Sequence, residues 1–348
     1  YIPLSESSTL TPDATPVRNQ TEFGTHKKVP PKVYDGSSIF MQQTGNVVRE
    51  YIYDDTAGKY NSPPVSLLAS HLFKNPAPVT GKLRASDMAG AAVIDGSVHR
   101  PESYWYTINR GNGEIVYLHS MRADKITGWG HWNTEGLFHS VVAVGKNLFA
   151  ITKRYGAVNA FAEAFADDFG NGEYTYHLER FEPSFGLDFA KKVTVASPRT
   201  KFSGLAHLAN RTVDVVSRGT IHHGKFAVDA NGVIEIDEEE TEIVAGLDYT
   251  MRMKNLRPRF NAQGYTISGS QMRLVAIHVD METTYTLEPN GFEMIIRQVD
   301  DDFSVDPDPV RGLREFALNG WSKDAEVTIV GGAPLPVKIL GFMLEVIA

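Results

Sequence analysis

The sequence predicts an all-β protein, and three observations predict it. Apolar and polar residues alternate in short runs, turn residues separate the runs at near-regular spacing, and helical periodicity is scarce. A strand sends successive side chains to opposite faces, so alternation marks a half-buried strand. Many short strands joined by hairpins narrow the architecture to a sandwich, a barrel or a propeller. Hairpins of similar size in the first half each carry aromatics: Phe40, Tyr51 and Tyr53, then Trp105 and Tyr117, then Trp129 and Trp132. They favour a propeller-like platform of antiparallel hairpins with additional small β-domains, although no strict repeat accompanies them.

Taken in order, residues 1–31 hold Pro12, Pro16, Pro30 and Pro31 with few periodic apolar positions and read as an extended N-terminal arm. Ser38–Gln42 and Val47–Tyr53 flank Thr44-Gly45-Asn46 as a hairpin. Ser66–Phe73 reads as two helical turns, with Ser66 as N-cap and Leu67, Leu68, His71 and Leu72 inward. Tyr104–Ile108 and Glu114–His119 flank Gly111-Asn112-Gly113, and Leu137–Val144 and Asn147–Lys153 flank Gly145-Lys146. Ala157–Phe169 repeats Phe161, Phe165 and Phe169 at helical spacing, with a strand as the competing reading. Strands are expected at Val213–Ser217, Lys225–Val228, Val233–Ile236, Met272–Asp280, Glu293–Gln298, Ala325–Val330 and Val337–Val346. The pattern changes near Phe202–Leu208 and again after Lys254–Pro258. The expected division is therefore an arm (1–31), propeller-like hairpins (32–204), a small β-domain (205–256) and a C-terminal β segment (257–348).

Composition excludes several classes of function. The 348 residues are 42% hydrophobic and 22% charged, enough apolar residue for a sizeable core. The absence of cysteine removes disulfides, thiolate nucleophiles and Cys-based metal sites. A formal net charge of -8 and the lack of a basic run argue against duplex binding. No apolar run approaches the ~20 residues that span a bilayer, so no membrane segment is expected. Tyr1 in the place of an initiator methionine reads as a processed chain or a piece of a longer one.

No catalytic constellation stands out, and neither a cofactor nor a metal is expected. His222-His223 is the most metal-like pair, but neighbours on a strand face opposite ways and cannot share one ion. The acidic run Asp300, Asp301 and Asp302, with Asp306 and Asp308 beyond, lacks the calcium-loop spacing and central glycine; it reads as a solvated surface loop. Glu238, Glu239 and Glu240 read as a solvated turn between two strands, unless they face a lumen. Gly128-Trp129-Gly130-His131-Trp132 has the make-up of a sugar-stacking loop, with Trp129, Trp132 and Glu135 as the wall; packing between sheets is the plainer reading. Asn19-Gln20-Thr21 and Asn210-Arg211-Thr212 match the glycosylation tripeptide by chance.

A series of short segments resembles a known family. Leu10-Thr11-Pro12-Asp13, Gly24, Val29-Pro30-Pro31, Ile39–Gln42, Val48-Arg49-Glu50-Tyr51 and Leu67–Leu72 lead it. Tyr104–His119, Gly128–Trp132, Phe138–Val144, Leu148–Lys153, Glu179-Arg180-Phe181, Leu205–Leu208 with Val213–Val216, Gly246–Thr250 and Leu335–Leu340 follow in the same order. Together they resemble the tail-nozzle (tubular tail protein, or stabilisation protein) family of short-tailed, podovirus-type bacteriophages. Ala92–His99 and Ala157–Ala166 have no counterpart in that family. The resemblance implies a non-enzymatic virion protein, made in the host cytoplasm, that assembles as a homohexameric ring at the distal end of the tail. It implies three partners: the tail adaptor protein, the tail fibres, and genomic DNA held back by the ring and then conducted through its lumen. On that reading Asp300, Asp301, Asp302, Glu238, Glu239 and Glu240 are candidates for a lumen wall that repels DNA enough to let it slide. The competing class is a carbohydrate-binding or carbohydrate-cleaving propeller for host recognition, with Trp129, Trp132 and Glu135 at its cleft.

Overall fold

Alternating sequence becomes strand wherever one face has something to pack against, and here it does so almost throughout. The computed structural model describes residues 21–56, 58–73, 93–109, 113–121, 126–155, 174–255, 260–262, 265–267, 271–297 and 306–347. The run Asp300–Asp302, Ala157–Phe169 and most of the N-terminal arm lie outside the described residues. All sheets are antiparallel, no closed barrel forms among the described residues, and the chain divides into two compact units, 1–181 and 182–348. No described helix is long and apolar enough to cross a membrane.

Unit 1 is built of consecutive meanders. The first contains β1 (Lys32–Tyr34), β2 (Ser37–Met41), β3 (Val48–Asp54) and β4 (Lys59–Asn61) in spatial order. The second contains β5 (Val93–His99), β6 (Tyr104–Asn109), β7 (Ile115–Met121) and β8 (Ile126–Trp132), again in order. The third pairs β9 (Leu137–Val144), β10 (Asn147–Tyr155) and β11 (Tyr174–Arg180). Register explains the layering. Val98, Trp105, Leu118 and Trp129 stand opposite one another across the second meander, as do Ser97, Tyr106, Tyr117 and Gly130 on the other face. Trp105, Val116 and Leu118 pack with Ile39, Met41, Val48 and Phe73 of the first meander and its following turn. Tyr106, Ile108 and Ile115 pack with Phe138, Val141, Leu148 and Ala150 of the third. The middle sheet is therefore buried on both faces. Polar pegs fix the seams: Asp95 Oδ2 accepts from Ser140 Oγ at 2.5 Å and Val141 N–H at 3.0 Å, and the Tyr34 hydroxyl donates to Ser103 O at 2.6 Å.

The stretch Leu67–Phe73 corrects one expectation. It forms 3₁₀ turns rather than an amphipathic helix, with Ala69 and Phe73 buried and Leu67 and Leu68 exposed. Ser66 accepts a hydrogen bond from Val48 N–H at 3.0 Å, so it ties the turn to β3. Ala69 departs from helical geometry at φ -112° and ψ 20°, so the two turns are joined by a kink and their inward positions follow no single helical pattern.

Unit 2 holds β12 (Asp188–Phe202), β13 (Thr212–Ser217), β14 (Ile221–Ala227), β15 (Ile234–Leu247), β16 (Arg252–Lys254), β17 (Phe260–Ala262), β18 (Tyr265–Ile267), β19 (Met272–Thr284), β20 (Glu288–Pro289), β21 (Val310–Ser322), β22 (Thr328–Val330) and β23 (Ile339–Ile347). Its main sheets run β12-β15-β13-β14 and β21-β19-β23. One core gathers Phe202, Leu205, Leu208, Val213, Val215, Ile234, Ile236 and Ile243; a second gathers Ile277, Val279, Leu287, Val327 and Ile329. β12 lies before the division read at 204/205, yet it pairs with β15 across the small sheet. Lys192 meets Glu242 at 2.6 Å and Lys201 meets Glu235 at 3.2 Å, so opposite charges line the two strands. The strand expected at Glu293–Gln298 is absent over its described residues 293–297, where Ile295 is exposed and gains nothing from pairing.

Candidate functional site

Among the described residues, the densest group of functional side chains lies at one end of the small sheet in unit 2, and two irregularities in strand pairing assemble it. β14 carries one residue more than β13: Val215 stands opposite Gly224 and Val216 opposite His222, leaving His223 unpaired. Gly224 adopts φ +102°, a conformation that favours glycine, and the resulting bulge turns His223 toward Ser217. In β15, Glu240 stands opposite Arg199 and Glu235 opposite Lys201, so Ile236–Glu239 face Thr200 alone, and Asp237–Glu239 bow outward while Ile236 stays in the core. The bow brings Glu238 and Glu240 to the same end of the sheet as His223.

A hydrogen-bond chain runs through the group. The Ser217 hydroxyl donates to Glu240 Oε1 at 3.0 Å and lies 2.8 Å from His223 Nε2. Arg218 Nη2 donates to the same Glu240 oxygen at 3.0 Å, and Arg218 Nη1 donates to Asp306 at 2.8 Å. The Glu240 hydrogen bond, with the charges of Glu240, Asp306 and Glu238, raises the Arg218 pKa and keeps the guanidinium charged. Glu240 and the His223 ring are buried, whereas Glu238 is 70% exposed. Glu238 Oε2 lies 3.9 Å from His223 Nδ1, and one donor atom from each of His223, Glu238 and Glu240 lies within 4.8 Å of the others.

The opposite face of the sheet has a separate network. His222 Nε2 lies 2.7 Å from buried Asp214, and Lys225 Nζ reaches Asp214 at 3.5 Å and Asp248 at 3.2 Å. The Asp248 hydrogen bond and the Asp214 charge raise the Lys225 pKa. The two histidines thus serve different faces, as strand geometry requires.

Glu238, Glu239 and Glu240 are a correction to the expected turn, because all three lie inside β15. The bow exposes Glu238 and Glu239, whereas Glu240 is buried against Arg218 and offers no charge to solvent. Asp306 is described and paired; Asp300, Asp301 and Asp302 are not described. The proposed sugar wall is divided. Trp129 packs edge-on against Phe73 and Trp105 and donates its Nε1–H to Val65 O at 3.2 Å, which seats it, partly buried, against the core. Trp132, three residues on, faces the other side of β8 among Tyr106, Tyr117 and Phe181. Glu135 is exposed, and its carbonyl accepts from Arg154 at 3.0 Å. The His223–Glu238–Glu240 group escaped the sequence because the bulge and the bow have no local signature apart from Gly224.

No protein-family model and no curated protein matches the chain. Among solved structures, the chain is similar to an exo-β-1,3-galactanase from Phanerochaete chrysosporium in two variant forms with β-1,3-galactotriose. Identity is 11% with a TM-score of 0.22 for one, and 10% with 0.21 for the other. Each comparison covers 89% of this chain but only 65% of the galactanase, so the chain spans less than two-thirds of that protein's length. A likeness at this level assigns no activity.

Proposed function

We propose that the chain is a structural subunit of a tail-nozzle-type ring, in which the stacked meanders of unit 1 act as blades of a propeller-like platform and unit 2 adds the smaller β-domains. The observation that carries this reading is the outer face of the β21-β19-β23 sheet. Leu313, Trp321, Met343 and Ile347 project from it, each more than half exposed, and β21 and β23 are unpaired edges among the described residues. Large apolar side chains beside open edges are an aggregation liability in a solitary protein, and a closed ring of heterologous contacts removes it. The second meander, four consecutive strands buried on both faces, fits a blade between blades. The ordered run of family-like segments supplies the particular assembly: a six-fold ring that joins an adaptor, carries fibres, and closes and then conducts the DNA channel.

The test is electron microscopy of the purified chain after mild cross-linking, with sedimentation to measure mass. Six-fold rings with a central channel are expected, and Trp321→Glu with Met343→Glu should reduce them to monomers while leaving the far-ultraviolet circular dichroism of the fold intact. Monomers at every concentration reached, with no rings in the images, would overturn the proposal.

A further inference from the structure

We infer that His223, Glu238 and Glu240 form a binding site for a divalent transition-metal cation of the zinc class. The Ser217 hydroxyl has one proton, and it is given to Glu240 Oε1. Ser217 therefore accepts from His223 Nε2–H, which fixes the neutral ring in the tautomer whose lone pair is on Nδ1. That nitrogen lies 3.9 Å from Glu238 Oε2. A second hydrogen bond that sets the tautomer and orientation of an imidazole is the usual support of a metal-ligating histidine. Glu240 Oε1 is occupied by Ser217 and Arg218, while no hydrogen bond reaches its Oε2 among the described residues.

Charge and spacing agree. Glu238, Glu240 and Asp306 bring three negative charges against the one positive charge of Arg218, and a dication neutralises the remainder. Tetrahedral ligands at about 2.0–2.2 Å from zinc stand roughly 3.3–3.5 Å apart. The present Nδ1–Oε2 spacing exceeds that only slightly, and the three donors lie within 4.8 Å of one another. Closing the site takes a swing of the exposed Glu238 side chain and a turn of the Glu240 carboxylate, whose Oε1 now lies 3.7 Å from Nε2. One imidazole and two carboxylates suit zinc or manganese better than calcium, which takes oxygen ligands alone. Three protein ligands leave a fourth position for water. The bound ion would staple the bow of β15 to the bulge of β14, a site of consequence whether or not the ring assembles.

The test uses the full chain with Zn²⁺ in calorimetry and Co²⁺ in visible absorption, whose d–d bands report coordination. Saturable binding of one ion per chain is expected. Glu238→Gln, at an exposed position that leaves the core untouched, should weaken it tenfold or more, and His223→Ala should abolish it along with the cobalt bands. His222→Gln, on the opposite face, should leave the affinity unchanged. Absence of saturable uptake, or equal affinity in wild type and Glu238→Gln, would overturn the site even if His223→Ala failed to fold.

Discussion

Arg154 is a fully buried cation, and its two-pronged contact with the Glu179 carboxylate makes a sharp prediction. Its side chain is 1% exposed and that of Glu179 19%. Nε donates to Glu179 Oε1 at 2.6 Å and Nη2 to Oε2 at 2.7 Å, a two-pronged match across β10 and β11. Nη1 donates to the Glu135 carbonyl at 3.0 Å. Removing one partner of a buried pair costs about 3–5 kcal/mol, because the other is left as an uncompensated charge. Glu179 keeps some solvent contact and the Glu135 carbonyl still serves the guanidinium, so Glu179→Ala should lie near the lower end, about 3 kcal/mol. The double variant Arg154→Met with Glu179→Leu removes both charges and should recover to within about 1 kcal/mol of wild type. Urea denaturation followed by tryptophan fluorescence measures this in a Trp321→Phe background, since the remaining tryptophans, Trp105, Trp129 and Trp132, all lie in unit 1. A loss below about 1 kcal/mol in Glu179→Ala, or a double variant as unstable as the single, would refute the argument from burial.

Two further outcomes follow from backbone geometry and from proton linkage. Gly232 adopts φ +74°, and a Cβ there would overlap the backbone of Leu205 and Ala206, whereas Gly224 at φ +102° has open space around it. Gly232→Ala should therefore lose about 1–3 kcal/mol more than Gly224→Ala in thermal melts, and equal losses would show that the collision is relieved at no cost. Burial, followed by the charges of Tyr104, Glu102, Tyr117 and Tyr34, raises the Tyr106 phenol above its ordinary 10.0. The unfolded chain surrenders that proton first, so the folded state binds more protons at high pH; stability present below the ordinary value falls as pH climbs past it. The decline from Tyr106 should approach ~1.4 kcal/mol per pH unit, and Tyr106→Phe should flatten it in denaturation midpoints compared across the alkaline range.

Legibility followed the range of the interaction. Hairpins around Gly45, Gly113 and Gly145 were readable because turn residues and alternating faces are local properties. β12 was not, since it holds its place through lysines and an arginine set against the glutamates of β15 some forty residues away. β21 escaped for a similar reason: its outer face carries Leu313 and Trp321 where the alternation rule expects polar residues. In the site, opposite directions for His222 and His223 could be argued from strand geometry alone. The meeting of His223 with Glu238 and Glu240 could not, because it depends on a bulge and a bow whose positions are set by pairing in three dimensions. Trp129 and Trp132, close in sequence, were separated by the parity of their positions along β8.

The consecutive order of the meanders in unit 1 has a kinetic consequence. Each sheet pairs strands that are neighbours in the chain, so its contacts close short loops and can form while later residues are still being synthesised. Unit 2 lacks that freedom: Met253 pairs with Ile329, and Arg273 with Ile347. Its second core remains open until β23 has been synthesised. During that interval Ile277, Val279 and Leu287 have no finished shelter. Slow translation across β22 and β23 would then endanger the second core of unit 2 while sparing the sheets already built before it.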